Sequence, residues 1–123
     1  MQNRYTFLME FFRVFLQAPV YENLLLFALD HREALKIDPE PVSYFSSGPE
    51  KVSLLPGGIY FFTQARKKIT AGDELLPLAI ELQKEGLWNR YKLENKIYVR
   101  FLFEHDPPAT QLWRPIIPLR QVQ

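Results

Sequence analysis

Two segments with period-two alternation constrain the fold more than any other feature of this sequence. In residues 59–66 the odd positions carry Ile, Phe, Thr and Ala, and the even positions carry Tyr, Phe, Gln and Arg. In residues 97–104 the odd positions carry Ile, Val, Phe and Phe, and the even positions carry Tyr, Arg, Leu and Glu. Because successive side chains of a strand point to opposite sides, we predict two strands, each with one dry and one mixed face.

The mixed face has two interpretations, and the sequence leaves both open. As a pocket wall, its rings would give flat apolar sides and its polar groups a few handles, which is the composition of small-molecule sites. As a solvated surface, the same aromatic and charged residues would form cross-strand pairs that stabilise the sheet. The residues predicted to line a ligand pocket are Tyr60, Phe62, Gln64, Trp88, Tyr98, Arg100, Glu104 and Trp113.

The composition fits one globular domain. The 123 residues are 47% hydrophobic and 24% charged, which is ordinary for a folded protein with a single core. Fifteen basic and fourteen acidic residues give no strong field for nucleic acid or anionic lipid, so direct binding to either is not expected. The chain has no cysteine, which favours a cytoplasmic location, and the apolar start is too short to span a bilayer.

The first 38 residues are predicted to form a helical pair. The polar positions at the start of the chain are spaced by 4, 3 and 4, which is one stripe on a helix; they are Thr6, Glu10, Arg13 and Gln17. The apolar arc is wider than one core-facing helix needs, so this helix is expected either to lie deep in the core or to form a dimer or partner interface. A second helix is predicted over residues 21–36, ended by the Asp-Pro-Glu-Pro linker at 38–41.

The segment from 42 to 118 is predicted to add strands around one helix within the same domain. Leu75, Leu78, Ala79 and Leu82 form an i, i+3, i+4, i+7 stripe, and Gly86 is a natural helix stop. Pro115 favours an edge position for the last strand. The fold class is therefore α+β, with a mostly antiparallel sheet and helices on one face. The elements are strands at 42–45, 51–55 and 59–66, a helix at 73–84, and strands at 96–104 and 110–117.

The second half resembles one half of a GyrI-like effector-binding domain, the ligand-binding module of MerR- and AraC-type regulators and of gyrase-inhibitor proteins. The matching pieces are residues 52–60 (Val-Ser-Leu-Leu-Pro-Gly-Gly-Ile-Tyr), the helix at 73–84, Ile97-Tyr98, and residues 113–118 (Trp-Arg-Pro-Ile-Ile-Pro). The resemblance covers about half of the chain. It implies a sensing module, either a half-module completed by a homodimer or a diverged relative.

The chain departs from this family at the position after the tyrosine of the penultimate strand. Relatives that bind lipophilic cations often carry glutamate there, whereas this chain has Val99 followed by Arg100. The departure favours an anionic or neutral ligand. Some relatives are hydrolases that use a glutamate with aromatic residues, which keeps Glu104 with Tyr98 and Trp113 open as an enzyme alternative.

The residues themselves predict no catalytic group, metal site or cofactor. His31 lies between Asp30 and Arg32 in a predicted helix, and His105 precedes Asp106 in a turn, where neighbours rarely form a working acid–base pair. The main expectation is a non-catalytic domain that binds or senses a small amphipathic molecule. The alternative is an interaction protein without a ligand, which dimerises through its N-terminal helix.

Overall fold

The computed structural model of the chain describes residues 9–29, 45, 48–70 and 72–118. The strands in this part form one antiparallel sheet in the order β1-β4-β6-β5-β2-β3. No helix in the described ranges is long and apolar enough to cross a membrane. The elements are β1 (Met9–Leu16), β2 (Val20–Ala28), β3 (Glu50–Leu55), β4 (Gly58–Ala65), α1 (Gly72–Trp88), β5 (Lys96–Leu102) and β6 (Ala109–Pro115).

The predicted N-terminal helical pair is wrong, because the described parts of both segments are strands. β1 covers most of the first predicted helix, and β2 covers the first half of the second. Residues 5–8 and 30–36 of those predicted helices lie outside the described residues. The fold class α+β with a helical pair is corrected to one six-stranded antiparallel sheet with a single helix in the described part of the chain.

The sequence pattern did not predict β1 as a strand, because both of its faces carry apolar residues. Phe11 packs with Phe61 on the side of α1, at 6.1 Å between ring centroids, while Phe12 stacks on Phe62 on the opposite side at 5.0 Å. A strand with apolar residues on both faces lacks the alternation that identifies a strand. The aromatic and β-branched residues of β1 nevertheless favour extended backbone. The wide apolar arc of the predicted helix corresponds to the two apolar faces of β1.

The predicted dry face packs on the helix, which confirms that part of the prediction. The apolar stripe of α1 is almost completely buried, and each buried leucine contributes about 1.5–3 kcal/mol to folding. The contact joins Leu75, Leu78, Ala79 and Leu82 of the helix to Phe61, Ile97, Val99 and Leu112 of three neighbouring strands.

The end of α1 is formed by an arginine instead of the predicted glycine. Gly86 lies inside the helix, where a Cβ would approach Leu93 Cδ1 to 2.7 Å. Arg90 adopts a left-handed conformation with φ of 63°. Its N–H donates to the Leu87 carbonyl at 3.0 Å, and the Tyr91 N–H donates to the Gly86 carbonyl at 2.8 Å. This is the Schellman end of a helix, with arginine at the position usually held by glycine.

The edge position predicted from Pro115 is also wrong. Pro115 is the last residue of β6, and β6 lies between β4 and β5 instead of at an edge. The proline is tolerated because the missing N–H falls at the end of the ladder. Of the predicted strand at 42–45, only Phe45 is among the described residues, and it forms a bridge with Leu29.

A bent two-stranded ribbon wraps around the β5–β6 hairpin. Pairing of β1 with β4 ends at Leu16↔Gly58, and pairing of β2 with β3 begins at Val20↔Leu55, so one ladder continues after a short break. The first half of the ribbon pairs with β6 through β4, and the second half pairs with β5 through β2. We call the break, residues 16–20 and 55–58, the ribbon corner.

The short connections at the ribbon corner exclude a flat sheet. Leu16 and Val20 are four residue steps apart, which reach at most about 14 Å. The strands β1 and β2 are first and fifth in the sheet, so a flat sheet would separate them by about 19 Å, with the joined ends on opposite sides. The sheet must therefore coil. At the ribbon corner the backbones touch, because a Cβ on Gly57 would lie 3.1 Å from the Leu16 carbonyl oxygen.

The mixed face is the inside of this coil. Residues from both edge strands pack into one cluster there, including Val14 of β1 and Val52 of β3. The ring centroids of Tyr60 and Tyr98 are 6.3 Å apart, although β6 lies between their strands and a flat sheet would separate them by about 10 Å. We call this inner surface the concave face.

Candidate functional site

The concave face brings together six of the eight residues predicted to line a pocket. Trp88 lies at the end of α1, on the other side of the sheet, and is 84% exposed. Glu104 lies in the turn after β5 and is also exposed. These two are therefore separated from the site. The six that meet on the concave face are Tyr60, Phe62, Gln64, Tyr98, Arg100 and Trp113.

The aromatic residues of the concave face pack against each other. Phe62 and Trp113 stack with ring centroids 4.1 Å apart and planes only 4° from parallel. Tyr60 meets the edge of Trp113 at 5.7 Å. Each such pair contributes about 0.5–1.5 kcal/mol beyond the area that it buries. Tyr60, Tyr98 and Trp113 are all at most 6% exposed, so they form a second core and not an open aromatic wall.

Tyr60 is held as a neutral hydrogen-bond donor. Its hydroxyl donates to the Pro56 carbonyl at 2.5 Å, which ties β4 to the ribbon corner. Burial raises the pKa of Tyr60 to about 12, and the nearby negative charges of an ionised Tyr98 and of Glu94 act in the same direction. Tyr60 therefore stays protonated at neutral pH and cannot act as a base.

A chain of polar side chains crosses the concave face beside the aromatic cluster. Gln111 is buried and lies at its centre, donating to Gln64 Oε1 at 2.6 Å. The Gln111 Oε1 accepts from Trp113 Nε1 at 2.8 Å and from Arg100 at 3.3 Å. Gln64 in turn donates to Glu10 Oε1 at 3.3 Å. Every one of these buried or half-buried groups has a partner, as a polar network in a core requires.

Arg100 forms a two-point ion pair with Glu22. Its Nε donates to one carboxylate oxygen at 2.5 Å, and one terminal nitrogen donates to the other at 2.6 Å. Both side chains are about one-third exposed, at 28% and 30%. Glu22 lies between Tyr21 and Leu24, where the register of β2 against β3 shifts. Such an irregularity redirects side chains, which explains how Glu22 reaches across to β5.

A small cavity lies beneath the ribbon corner, between it and the β5–β6 hairpin. Its volume is about 130 Å³. Five of its lining residues are apolar, and the Glu22–Arg100 pair supplies the charged part. Of the eight predicted pocket residues only Arg100 and Trp113 reach it. The lining consists of Leu16, Val20, Glu22, Leu24, Leu55, Arg100 and Trp113.

Sequence reasoning missed Glu22 and Gln111 for different reasons. Glu22 falls in the second predicted helix, and a helical residue has no cross-strand partner. Gln111 shares a face with Trp113 by the period of two, and this alternation in residues 109–115 was the signal that could have found it. The aromatic residues of the concave face could be predicted because the period of a strand can be read from its own residues. The residues of the ribbon corner that close the cavity are distant in sequence, so no local pattern identifies them.

Comparison of the chain with protein-family models, with curated proteins and with solved structures finds no match. The resemblance to the GyrI-like family therefore stays a prediction. In the parts of the chain that the structure describes, no three His, Asp or Glu side chains are grouped as metal ligands. His31 lies outside those parts, and His105 is exposed in its turn.

Glu10 lies at the outer end of the polar chain, and its ion pair is expected to make the stability of the fold fall at acid pH. The hydrogen bond from Arg66 lowers the pKa of Glu10 below its usual 4.5, against the opposing effect of burial, and the charge of Arg66 and the Gln64 contact add to the lowering. The contribution of Glu10 to stability is then complete above pH 4.5 and is lost as the pH falls through the lower folded-state value. Glu10→Gln should be less stable than the wild type at about pH 7, with the difference shrinking towards about pH 3.

Urea unfolding of both proteins at the two pH values measures this difference. Glu104→Gln, in the exposed turn after β5, is the matched control and should show no such convergence. A difference between wild type and Glu10→Gln that persists or grows in acid would contradict the assignment.

Proposed function

We propose that this chain is a non-catalytic domain that binds a small molecule in the cavity beneath the ribbon corner. The ligand that fits best is uncharged, about the size of one aromatic ring, and carries one hydrogen-bonding group. The observation that supports this proposal is a cavity with apolar walls and a single charged pair at one side. Apolar walls with few polar groups are typical of sites for small organic molecules.

The size of the cavity favours a compact ligand. Its volume of about 130 Å³ is close to that of an engineered apolar cavity of about 150 Å³ that takes up benzene. Trp113 supplies a flat indole surface against which a ring can lie. The amphipathic ligand predicted from the sequence is thereby narrowed to a molecule of about one ring.

The Glu22–Arg100 pair favours a neutral ligand over an ionised one. A carboxylate ligand would have to displace Glu22 from Arg100 and leave that carboxylate half-buried without its partner, which is costly. A cation would in turn have to draw Glu22 away from Arg100 and leave the guanidinium half-buried without its partner. A phenolic or amide group can instead share a hydrogen bond with the pair while leaving it intact. Of the anionic or neutral ligand predicted from Arg100, we retain the neutral one.

The two tryptophans allow a clean test. Trp88→Phe removes the exposed indole and leaves Trp113 as the only one. Phenol, benzoate and benzylammonium are then titrated while Trp113 emission and the melting temperature are recorded. Phenol is expected to change the emission and raise the melting temperature more than either ion does. No response to any of the three probes, or preference for an ion, would overturn the proposal.

A cavity-filling variant locates the response. Val20→Phe in the Trp88→Phe background places a ring in the cavity and should abolish the phenol effect. Val52→Phe makes the same change on β3, packed on the concave cluster but outside the cavity lining, and should preserve it. Equal loss in both variants, or no loss in either, would contradict the assigned position.

The competing prediction of a homodimer through an N-terminal helix loses its basis, because residues 9–28 form β1, β2 and their connection. A cytoplasmic location stays a prediction that rests on the absence of cysteine.

A further inference from the structure

A larger groove lies at the other side of the sheet, between the end of α1, the segment that follows it and the end of β6. Its volume is about 670 Å³, within the range of about 300–1,000 Å³ found for small-molecule sites. It is distinct from the cavity beneath the ribbon corner and shares no lining residue with it. The apolar part of its lining consists of Leu87, Tyr91, Leu93 and Ile117.

The groove concentrates positive charge in a chain that is almost neutral. The whole sequence carries a net charge of +1, whereas the groove is lined by four basic side chains and one acidic side chain. The acid, Glu94, is ion-paired with Lys96 at 3.3 Å. The remaining basic residues are Arg90, Lys92 and Arg114.

Two of these cations are available to a ligand. Arg90 and Lys92 are exposed, and in the described part of the chain neither side chain lies within ion-pairing distance of a carboxylate. Arg114 is buried and structural, because it donates to the Glu94 carbonyl through two nitrogens and to Gln83. It fixes the segment that carries the other two.

Several of the backbone carbonyls that would repel an anion at this helix end are already bonded. The Gly86 and Leu87 carbonyls accept from the Schellman N–H groups described above. The Lys92 carbonyl accepts from the Ile117 N–H at 2.7 Å, and the Glu94 carbonyl accepts from Arg114. Occupied carbonyls reduce the negative end of the helix dipole that an anion would otherwise meet.

Arg90 adopts a left-handed backbone conformation that is sterically unfavourable for a residue with a Cβ. At φ of 63° any residue with a Cβ is strained, and glycine is the usual occupant of this position. Strained positions of this kind concentrate at binding and active sites. The strain at Arg90 therefore supports a role for its guanidinium beyond ending the helix.

We propose that this groove binds an organic anion with an apolar body, such as an aromatic phosphate or carboxylate. The anionic group lies between Arg90 and Lys92, and the apolar body covers Tyr91 and Leu93. The site is independent of the neutral ligand proposed for the ribbon corner, and either proposal can fail without the other.

The test uses phenyl phosphate as the probe and follows the backbone amide signals of residues 87–96 by NMR. Benzyl alcohol lacks the charge, and inorganic phosphate lacks the apolar body. Phenyl phosphate is expected to shift these amides at lower concentration than either of the other two, and its affinity should fall with added salt. Equal binding of all three, binding that salt leaves unchanged, or no shift in this segment would overturn the proposal.

Arg90→Gly is the most informative variant, because it removes the cation and relieves the left-handed strain together. It should raise the melting temperature while lowering the affinity for phenyl phosphate, which separates ligand loss from unfolding. Combined with Lys92→Gln, it should weaken binding by about tenfold or more. Lys51→Gln on β3 removes one positive charge outside the groove and should leave affinity unchanged. Unchanged affinity in the double variant, or an equal loss in Lys51→Gln, would refute the site.

Discussion

Trp113→Ala is expected to lower the free energy of unfolding by about 3–5 kcal/mol, the range for truncating a buried aromatic residue. Trp113 is 6% exposed, stacks on Phe62, and meets the edge of Tyr60. Its indole N–H also donates to Gln111, which would lose a partner in a buried position. Urea unfolding followed by far-ultraviolet circular dichroism measures the change without a tryptophan signal.

The chain contains its own control for this substitution. Trp88→Ala makes the same chemical change at a side chain that is 84% exposed, and should alter stability by no more than about 0.5 kcal/mol. The expected contrast depends on the coiling of the sheet, which buries Trp113. Similar effects of the two substitutions would contradict a buried concave face.

Arg114→Met is expected to cost about 2–3 kcal/mol. The guanidinium is 1% exposed and satisfies the Glu94 carbonyl and the Gln83 side chain, so its removal leaves buried acceptors without donors. Methionine keeps much of the apolar volume, which limits the change mainly to the lost hydrogen bonds. Loss of the charge also removes the free-energy cost of burying it, so the destabilisation is expected to be smaller than that caused by breaking a buried ion pair.

Urea unfolding again gives the size of this effect. Arg13→Met, at an exposed position of β1, is the matched control and should remain within about 0.5 kcal/mol of the wild type. Amide hydrogen exchange in residues 92–96 should accelerate in Arg114→Met, because the arginine ties that segment to β6. An Arg114→Met protein as stable as Arg13→Met would show that the buried guanidinium does not hold the segment.

The local part of this fold was predictable from sequence. The two-faced segments became β4 and β5, and the Leu75–Leu82 stripe packs on their dry face. These predictions succeeded because a strand or helix with one buried face carries its period in its own residues. The strand β1 failed the same reasoning because Phe11 and Phe12 are packed on opposite faces.

The candidate site was less predictable, because its enclosure is not local. Sequence reasoning offered an open pocket or a solvated face, and the structure instead has an aromatic core with a small cavity at one end. Leu16, Val20 and Leu55 close that cavity from the ribbon corner, more than forty positions from Arg100 and Trp113 in every case. Only the long-range pairing of the ribbon with the hairpin brings these residues together.

The most direct measurement of the buried concave face is acrylamide quenching of single-tryptophan proteins. Trp88→Phe reports on Trp113 alone, and Trp113→Phe reports on Trp88 alone. We predict that Trp113 emits at shorter wavelength and is quenched several-fold less than Trp88, because the ribbon corner and its neighbours exclude solvent from it. Quenching of Trp113 as strong as that of Trp88 would show that the mixed face is open to solvent and would contradict the coiled sheet on which the proposed ligand cavity depends.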